Sequence, residues 1–261
     1  YSNYKSKNGG SVNFPGASDA LTIASTTDFQ FGTGDFTIEV WGYHTAYSNT
    51  PYIFDMRDSG GSTSGTNRLV LFMNTSGNVI LWIDGERVSQ KVPLYAWVHY
   101  AVVKNSGTTT LYINGIPVGT YSDSVNYSGA PITIGMRQGS STQGWNGYLS
   151  DFRIVKGTAV YTGDFTPPSG PLTATGGTYP SNTNVNTSIT AGHTKLLLNF
   201  TQAKIVDKSQ NRNIPITGNV VASSAQQHYG ENTLAFDGNG DRIKIPRVIP
   251  LGDDIDWTIE T

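Results

Sequence analysis

The chain has 261 residues, a formal net charge of −2 and no cysteine. The weak negative charge offers no basic surface to a phosphate backbone, so nucleic acid is not expected as a partner. Without cysteine no disulfide or thiolate metal site can form, and no apolar run reaches the roughly 18 to 20 residues needed for membrane insertion. Charged residues make up only 14% of the chain, which predicts an uncharged polar surface typical of an extracellular or virion-surface protein.

Two phrases near the start of the chain recur near its end. The phrase DFTIE at Asp35–Glu39 returns as DWTIE at Asp256–Glu260, and SVNFPG at Ser11–Gly16 returns as TLAFDG at Thr233–Gly238. The offsets of the two pairs differ by a single residue, which a deletion in a surface loop explains. The pattern predicts a tandem repeat cut within its second copy, with a complete module over residues 1–168.

Apolar and polar residues alternate along most segments of this module, which predicts antiparallel β-strands with one buried and one open face. In chain order the predicted strands are Phe36–Trp41, Arg68–Met73, Val79–Ile83, Trp97–Val103, Thr110–Ile113, Ile116–Gly119, Ile132–Gly135 and Gly147–Ile154. Many short strands separated by glycine turns predict an all-β, two-sheet antiparallel jelly-roll sandwich. The residues expected between the sheets are Phe36, Ile38, Val40, Val98, Val102, Leu111 and Ile113.

The composition changes after residue 168. Residues 169–193 consist mainly of Thr, Gly, Ser, Asn and Pro, which is typical of a linker, extended or packed on a neighbouring surface. The alternating pattern resumes at Leu196–Phe200 (LLLNF). We therefore expect residues 194–261 to form the leading strands of a second, truncated module, completed by further chain, a neighbouring subunit or strand exchange.

Six motifs in order resemble the laminin-G-like branch of the concanavalin A-like lectin and glucanase jelly rolls. They are the FPG run, DFTIE, Trp97 with His99, Leu111–Gly115, Ile134–Gly135 and Gly147–Ile154. The run Lys156–Pro168 is most similar to versions found in tail-fibre and structural proteins of marine bacteriophages. The resemblance implies a non-catalytic module for surface recognition, although the fold alone does not settle the ligand.

The fold that the resemblance implies includes glucanases, which need two carboxylates on one face of a strand. The chain has four glutamates, Glu39, Glu86, Glu231 and Glu260, and none is followed by a second carboxylate two or four residues later. Glu39 is expected to point into solvent. His99 stands where relatives often carry a histidine, and a structural hydrogen bond is its expected role. The sequence therefore predicts that the protein is not an enzyme.

The aromatic residues are the candidate ligand-binding residues. Alternation places Trp41 and Tyr43 on the outward face of one strand and Trp82 on that of another, where their rings could stack on sugars. Trp145, in a predicted loop between glycines, is a second candidate. The alternative is that these rings are covered by a loop, by the linker 169–193 or by a neighbouring module.

Calcium is a further possibility that the resemblance raises, since several jelly rolls of this type hold the ion at the rim of the sandwich. Asp19, in the loop after the FPG run, and Asp151, in the GYLSDFR phrase, are the candidate ligands. Turn capping by the same carboxylates is the alternative explanation.

Two functions remain open at the level of sequence. The first is a lectin-like adhesin module of a larger extracellular or virion fibre protein that binds cell-surface glycan. The second is a structural spacer or decoration repeat that builds a fibre and has no ligand of its own. In either case neighbouring repeats or subunits are the expected partners, and no membrane insertion is expected.

Overall fold

The computed structural model describes residues 10–14, 19–57, 68–177, 179–180 and 183–200, and the backbone of four short strands between residues 216 and 243. The chain divides into two compact units, Tyr1–Asn211 and Arg212–Thr261. In the described residues the only helical element is a short 3₁₀ turn at Thr27–Phe29, and no helix is long and apolar enough to cross a membrane.

The first unit contains thirteen strands among its described residues. In chain order they are β1 (Val12–Phe14), β2 (Leu21–Ile23), β3 (Phe36–His44), β4 (Tyr52–Met56), β5 (Leu69–Met73), β6 (Asn78–Ile83), β7 (Glu86–Lys91), β8 (Trp97–Asn105), β9 (Thr108–Ile113), β10 (Ile116–Ser122), β11 (Ile132–Ile134), β12 (Gly147–Lys156) and β13 (Thr194–Leu198). The eight predicted strands all correspond to strands of this set.

The strands form two antiparallel sheets. A seven-stranded sheet has the order β1-β12-β3-β8-β9-β10, with β13 also paired to β12, and a six-stranded sheet has the order β2-β11-β4-β5-β6-β7. Neighbours in these orders are frequently distant in sequence, as in β12 beside β3, which is the connectivity of a jelly roll rather than of a simple meander. The prediction of an all-β two-sheet sandwich is confirmed.

The core lies between the sheets, where one face of every long strand contributes apolar side chains. On β3, Phe36, Ile38 and Val40 are at most 1% exposed, and their register partners on β8 include the equally buried Val102. Val98 and Leu111 are buried in the same cluster, and Ile113 is half-buried against it. The core predicted from alternation is therefore the core of the sandwich.

The outer face of the seven-stranded sheet is covered as well. The described residues between 157 and 189, here called the covering segment, place Val160, Tyr161 and Phe165 in a second apolar cluster with Ala101 and Val103 of β8. Val185 and Ile189 of the predicted linker belong to the same cluster. Every residue of β3 is buried as well. The expectation that the strands of this sheet have one open face is thus corrected, and the alternative of cover by the linker applies in part.

The strand β13 belongs to the first unit. Leu196 to Leu198 pair with Ile154 to Phe152 of β12, on the same edge where β1 pairs with Leu149 to Gly147. Residues 194–198 were expected to open a second module, and the division of the chain falls instead after Asn211. The physical reason is that the short β1 pairs with only half of the outer edge of β12. An apolar strand on the other half pairs the remaining backbone groups and also buries its leucine side chains in the core.

In the second unit the structure describes two short antiparallel ladders. Strand β14 (Ile216–Thr217) pairs with β17 (Arg242–Ile243), and β15 (Val221–Ser223) pairs with β16 (Thr233–Ala235). The second DFTIE-like phrase, Asp256–Glu260, lies outside the described residues. The tandem repeat therefore stays a prediction.

Candidate functional site

The aromatic residues proposed as one binding face lie on two different sheets. Trp41 and Tyr43 are on β3 of the seven-stranded sheet, whereas Trp82 is on β6 of the six-stranded sheet. Trp41 is 5% exposed and packs edge-on to His99, with ring centroids 5.1 Å apart. Tyr43 is 9% exposed, between Trp97 and Tyr148. The three rings therefore do not form a shared open face, because the face that carries Trp41 is covered.

Trp145 is also buried rather than displayed at a loop tip. Its ring lies 3.8 Å from that of His44, centroid to centroid, and its backbone N–H donates to Gly135 at 2.7 Å. A Cβ on Gly42 of β3 would come within 3.0 Å of the Trp145 ring. A glycine in the middle of a strand commonly marks such a close approach, and this was the available sign that Trp145 packs inward.

A buried polar cluster lies under the covering segment, around Glu39 of β3. Arg153 of β12 donates to Glu39 Oε1 from Nε at 2.8 Å, and Tyr161 donates to Oε2 at 2.6 Å. His99 Nε2 lies 3.2 Å from the same Oε2 atom. Glu39 is fully buried, so its expected exposure to solvent is corrected, while His99 has the structural hydrogen bond expected of it.

The pKa values in this cluster follow from the ion pair. Burial by itself would raise the pKa of Glu39, but the Arg153 guanidinium and the contacts with His99 and Tyr161 outweigh it and lower that pKa to about 2. Burial and the negative charge of Glu39 raise the pKa of Tyr161 well above its usual value. Glu39 therefore stays ionised and Tyr161 stays protonated at neutral pH, and both side chains are buried, which indicates a structural cluster.

The two predicted calcium ligands are not brought together as a complete site. Asp19 is exposed just before β2 of the six-stranded sheet, whereas Asp151 is buried in β12 of the other sheet and accepts a hydrogen bond from Asn199. Calcium requires six to eight oxygen ligands. No cluster of three or more His, Asp or Glu side chains suited to a metal occurs in the described part of the chain. The calcium site stays a prediction.

The open candidate site is a cleft on the outer face of the six-stranded sheet. Its volume is about 250 Å³, and its described lining consists of Tyr52, Arg57, Arg68, Val70, Phe72, Trp82 and Arg137. Alternation builds it: in β5 Leu69, Leu71 and Met73 point into the core, so Val70 and Phe72 face outward. We call this site the arginine cleft.

Aromatic rings form the floor of the arginine cleft. Tyr52 of β4 and Phe72 of β5 are cross-strand partners whose rings stack with centroids 5.0 Å apart at 16°. The ring of Trp82 on β6 follows at 6.5 Å from that of Phe72. Phe72 and Trp82 are half-buried, so parts of both rings face solvent. This row of three rings is fixed by pairing of three adjacent strands.

Arg57 is held rigidly at the cleft. Its Nε donates to both carboxylate oxygens of Asp55 at 2.8 and 2.9 Å, and Nη2 donates to Oδ2 at 2.5 Å. The guanidinium carbon lies 5.6 Å from the centroid of the Tyr52 ring. Burial would lower the pKa of Arg57, but the hydrogen bonds and charge of Asp55 raise it, so the side chain remains cationic. Asp55 also accepts from the backbone N–H of Gln138 at 3.0 Å.

Two further arginines complete the lining. Arg68 donates from Nε to Asp84 at 3.2 Å, and Arg137 donates from Nη1 to the side-chain oxygen of Gln143 at 2.7 Å. Both arginines are half-buried. The cleft thus combines an apolar aromatic floor with guanidinium groups from three separate segments of the chain.

Residues 15–160 match the family model described as "Concanavalin A-like lectin/glucanases superfamily", of the laminin G type. The chain belongs to this superfamily. No curated protein sequence gives a significant match.

Several solved structures are similar to this chain at low sequence identity. A heptameric SAP-like pentraxin from Limulus polyphemus is 20% identical, with a TM-score of 0.40, over 57% of this chain and 73% of the pentraxin. A putative carbohydrate binding protein from Bacteroides ovatus is 14% identical, with a TM-score of 0.49, over 91% of this chain and 60% of that protein. Domains LG4-5 of the mouse laminin alpha1 chain are 14% identical, with a TM-score of 0.44, over 61% of this chain and 44% of the laminin fragment.

For this member of the concanavalin A-like superfamily, sequence reasoning found one residue of the arginine cleft, Trp82. It missed Tyr52, Phe72 and the three arginines. The alternation of Val70 and Phe72 with core residues was a usable signal, since it places Phe72 on the same outward face of the predicted hairpin as Trp82. The convergence of Arg57, Arg68 and Arg137 was not readable, because it depends on which strands become neighbours.

Proposed function

We propose that this module binds a saccharide in the arginine cleft and does not turn it over. The observation that carries the proposal is the row of Tyr52, Phe72 and Trp82 beside Arg57, Arg68 and Arg137 on a rigid sheet. Flat aromatic rings stack on the apolar faces of pyranose rings, while guanidinium donors bind ring substituents. The volume of about 250 Å³ lies just below the roughly 300 to 1,000 Å³ of pockets for drug-sized ligands, which suits one sugar residue of a longer glycan.

The proposal of a non-catalytic role rests on the chemistry of the lining. Glycoside cleavage requires a carboxylic acid and a second carboxylate about 5 to 9.5 Å apart across the sugar. The described lining of the cleft has no carboxylate, and the carboxylates next to it, Asp55 and Asp84, accept hydrogen bonds from Arg57 and Arg68. Glu39 is buried elsewhere.

The proposal also places the protein outside the cell or on a virion surface. The superfamily membership and the low content of charged residues support this localisation. A shallow cleft buries little ligand area, so we expect dissociation constants of about 0.1 to 1 mM for a single site. Repetition of the module along a fibre would raise the effective affinity by about 10² to 10⁴ through multivalency. Cell-surface glycan is then the partner.

The test is a Trp82→Ala variant of the full chain, assayed on an array of glycans and by titration calorimetry. We expect saccharide affinity to fall about tenfold or more, because the Trp82 ring that stacks on the sugar is removed, while the melting temperature stays within a few degrees. Tyr95→Ala is the matched control, because Tyr95 is an aromatic residue with 63% exposure outside the described lining. Equal binding by the Trp82 variant and the wild type would contradict the proposal.

A role as a structural spacer is the second candidate. The observation that favours it is that three of the four aromatic residues expected to bind a ligand, Trp41, Tyr43 and Trp145, are buried. A folded wild-type chain that binds no saccharide on the array, with and without calcium, would leave this function as the better account.

A further inference from the structure

A buried carboxylate lies beside the arginine cleft and is not part of its described lining. It belongs to Asp55 of β4, which is fully buried. We infer that Asp55 is a positioning residue for saccharide binding in the cleft. It acts through Arg57 and Tyr52, which hold the ring of Phe72 in place. The sugar itself stacks on Phe72 and Trp82, and the inference therefore rests on the proposed function.

A bulge in β4 places Tyr52 and Asp55 on the same outward face of the sheet. Ile53 and Phe54 follow one another in sequence, yet both lie in the core cluster. The register with β5 shifts at this point, between Tyr52 and Phe54, and a bulge of this kind redirects the neighbouring side chains. Tyr52 therefore lines the cleft. Asp55 is the register partner of Val70, another lining residue, so its carboxylate lies on the face that carries the cleft.

The ring of Tyr52 is mostly occupied by contacts within the protein. It is only 7% exposed. The Phe72 ring stacks on it with centroids 5.0 Å apart, and the guanidinium carbon of Arg57 lies over it, 5.6 Å from its centroid, within the range of a cation–π contact. Phe72 and Trp82 are half-buried and so retain ring surface for a sugar. Tyr52 is thus a support for the stacking surface and not the surface itself.

Asp55 fixes the side chain that packs on Tyr52. Its two oxygens accept from Nε of Arg57 at 2.8 and 2.9 Å, and Oδ2 accepts from Nη2 at 2.5 Å. Oδ2 also accepts from the backbone N–H of Gln138 at 3.0 Å, next to the lining residue Arg137. Hydrogen bonds between charged groups are among the strongest in proteins. One carboxylate thus orders two segments of the cleft before a ligand arrives, which lowers the entropic cost of binding.

The test is an Asp55→Asn variant of the full chain, titrated by calorimetry at a temperature where circular dichroism shows it to be folded. The probes are trisaccharides of glucose, galactose, N-acetylglucosamine and galacturonate, and the one that the wild type binds most tightly is used for the variants. We expect the dissociation constant to rise about tenfold, because the Tyr52 and Phe72 rings must then be ordered during binding.

Asp123→Asn is the matched control. Asp123 is 2% exposed, its carboxylate lies 3.5 Å from Lys104 Nζ, and it is outside the described lining. Loss of either buried ion pair should lower the melting temperature, but only the loss of Asp55 should change the affinity of the folded protein. An equal rise of the dissociation constant in both variants would make general destabilisation the cause and overturn the inference.

The double variant Asp55→Asn/Arg57→Met covers the case in which Asp55→Asn alone does not fold. It removes both charges of the pair, which costs much less stability than removing one, and it should also bind the probe about tenfold more weakly than the wild type. Wild-type affinity in either folded variant, together with weaker binding by Trp82→Ala, overturns the inference and leaves the proposed function standing. A folded wild type that binds none of the four probes and no glycan on the array overturns both.

Discussion

Glu39 holds together the buried polar cluster on the outer face of β3. Its two carboxylate oxygens are shared between Arg153 of β12, Tyr161 of the covering segment and His99 of β8. Removing one partner from a buried ion pair leaves the other charge without compensation in a poorly solvated environment. The cluster therefore links the covering segment to the sheet through charge as well as through apolar contact.

Replacement of Glu39 by glutamine should destabilise the first unit by about 3 to 5 kcal/mol, because Arg153 would keep its charge and lose its partner. Thermal and urea unfolding, followed by tryptophan fluorescence, would measure the change. Glu86→Gln on the exposed β7 is the matched control, and it should shift the free energy of unfolding by less than about 0.5 kcal/mol. Similar effects of the two substitutions would show that Glu39 is not buried in an ion pair.

The same carboxylate should contribute to acid sensitivity. The pKa of Glu39 is lowered from 4.5 to about 2, so its contribution is complete above pH 4.5 and is lost as the pH falls towards 2, by roughly 3 kcal/mol in all. Burial lowers the pKa of His44 from 6.5 to about 3, so its contribution to stability is lost over a range that begins at a higher pH, from 6.5 downwards. The glutamine variant should therefore have a flatter stability profile below pH 4.5 and an unchanged slope above it. A wild-type slope below pH 4.5 in the variant would contradict the assignment.

At the scale of elements, β12 organises the seven-stranded sheet. Its one edge pairs with β3 along nearly its whole length, and its other edge pairs with β1 and then with β13. The register shifts between Ser150 and Arg153, where Asp151 has a φ of 48°. This irregularity separates the two halves of the edge, so that two different strands can pair with one long strand.

A Leu196→Ala variant tests whether β13 belongs to the first unit. Leu196 is 1% exposed and lies in the core cluster between the sheets, so truncation should cost about 2 to 5 kcal/mol. Ile116→Ala on β10 is the matched control, since Ile116 is 53% exposed. The measurement is the unfolding midpoint of the full chain in urea. An unchanged main transition for Leu196→Ala would place β13 outside this core.

At the scale of the whole molecule, the predicted module boundary can be compared directly with the observed unit. A chain ending at Pro168 lacks β13 and the end of the covering segment, whereas a chain ending at Phe200 keeps both. We expect the longer chain to melt cooperatively near the temperature of the full protein. The shorter chain should melt at least 10 °C lower or aggregate, because it loses Val185 and Ile189 of the second apolar cluster and exposes half an edge of β12. Equal melting temperatures would support the boundary at residue 168.

The strands and the core were predictable because alternation is a local property of the chain. Phe36, Ile38 and Val40 face inward whatever their neighbours are, since successive side chains of a strand point to opposite faces. The six ordered motifs likewise indicated the superfamily, which the match over residues 15–160 establishes.

What lies on the other face of each strand was decided only by the tertiary structure. Trp41 and Trp82 have the same outward pattern in sequence, yet Trp41 is buried beside His99 while Trp82 remains partly open in the arginine cleft. The cleft likewise depends on β4, β5 and the segment after β11 meeting in one place. Alternation determines which side chains share a face of their own strand, but coverage and convergence depend on contacts between segments far apart in sequence, which a local pattern does not contain.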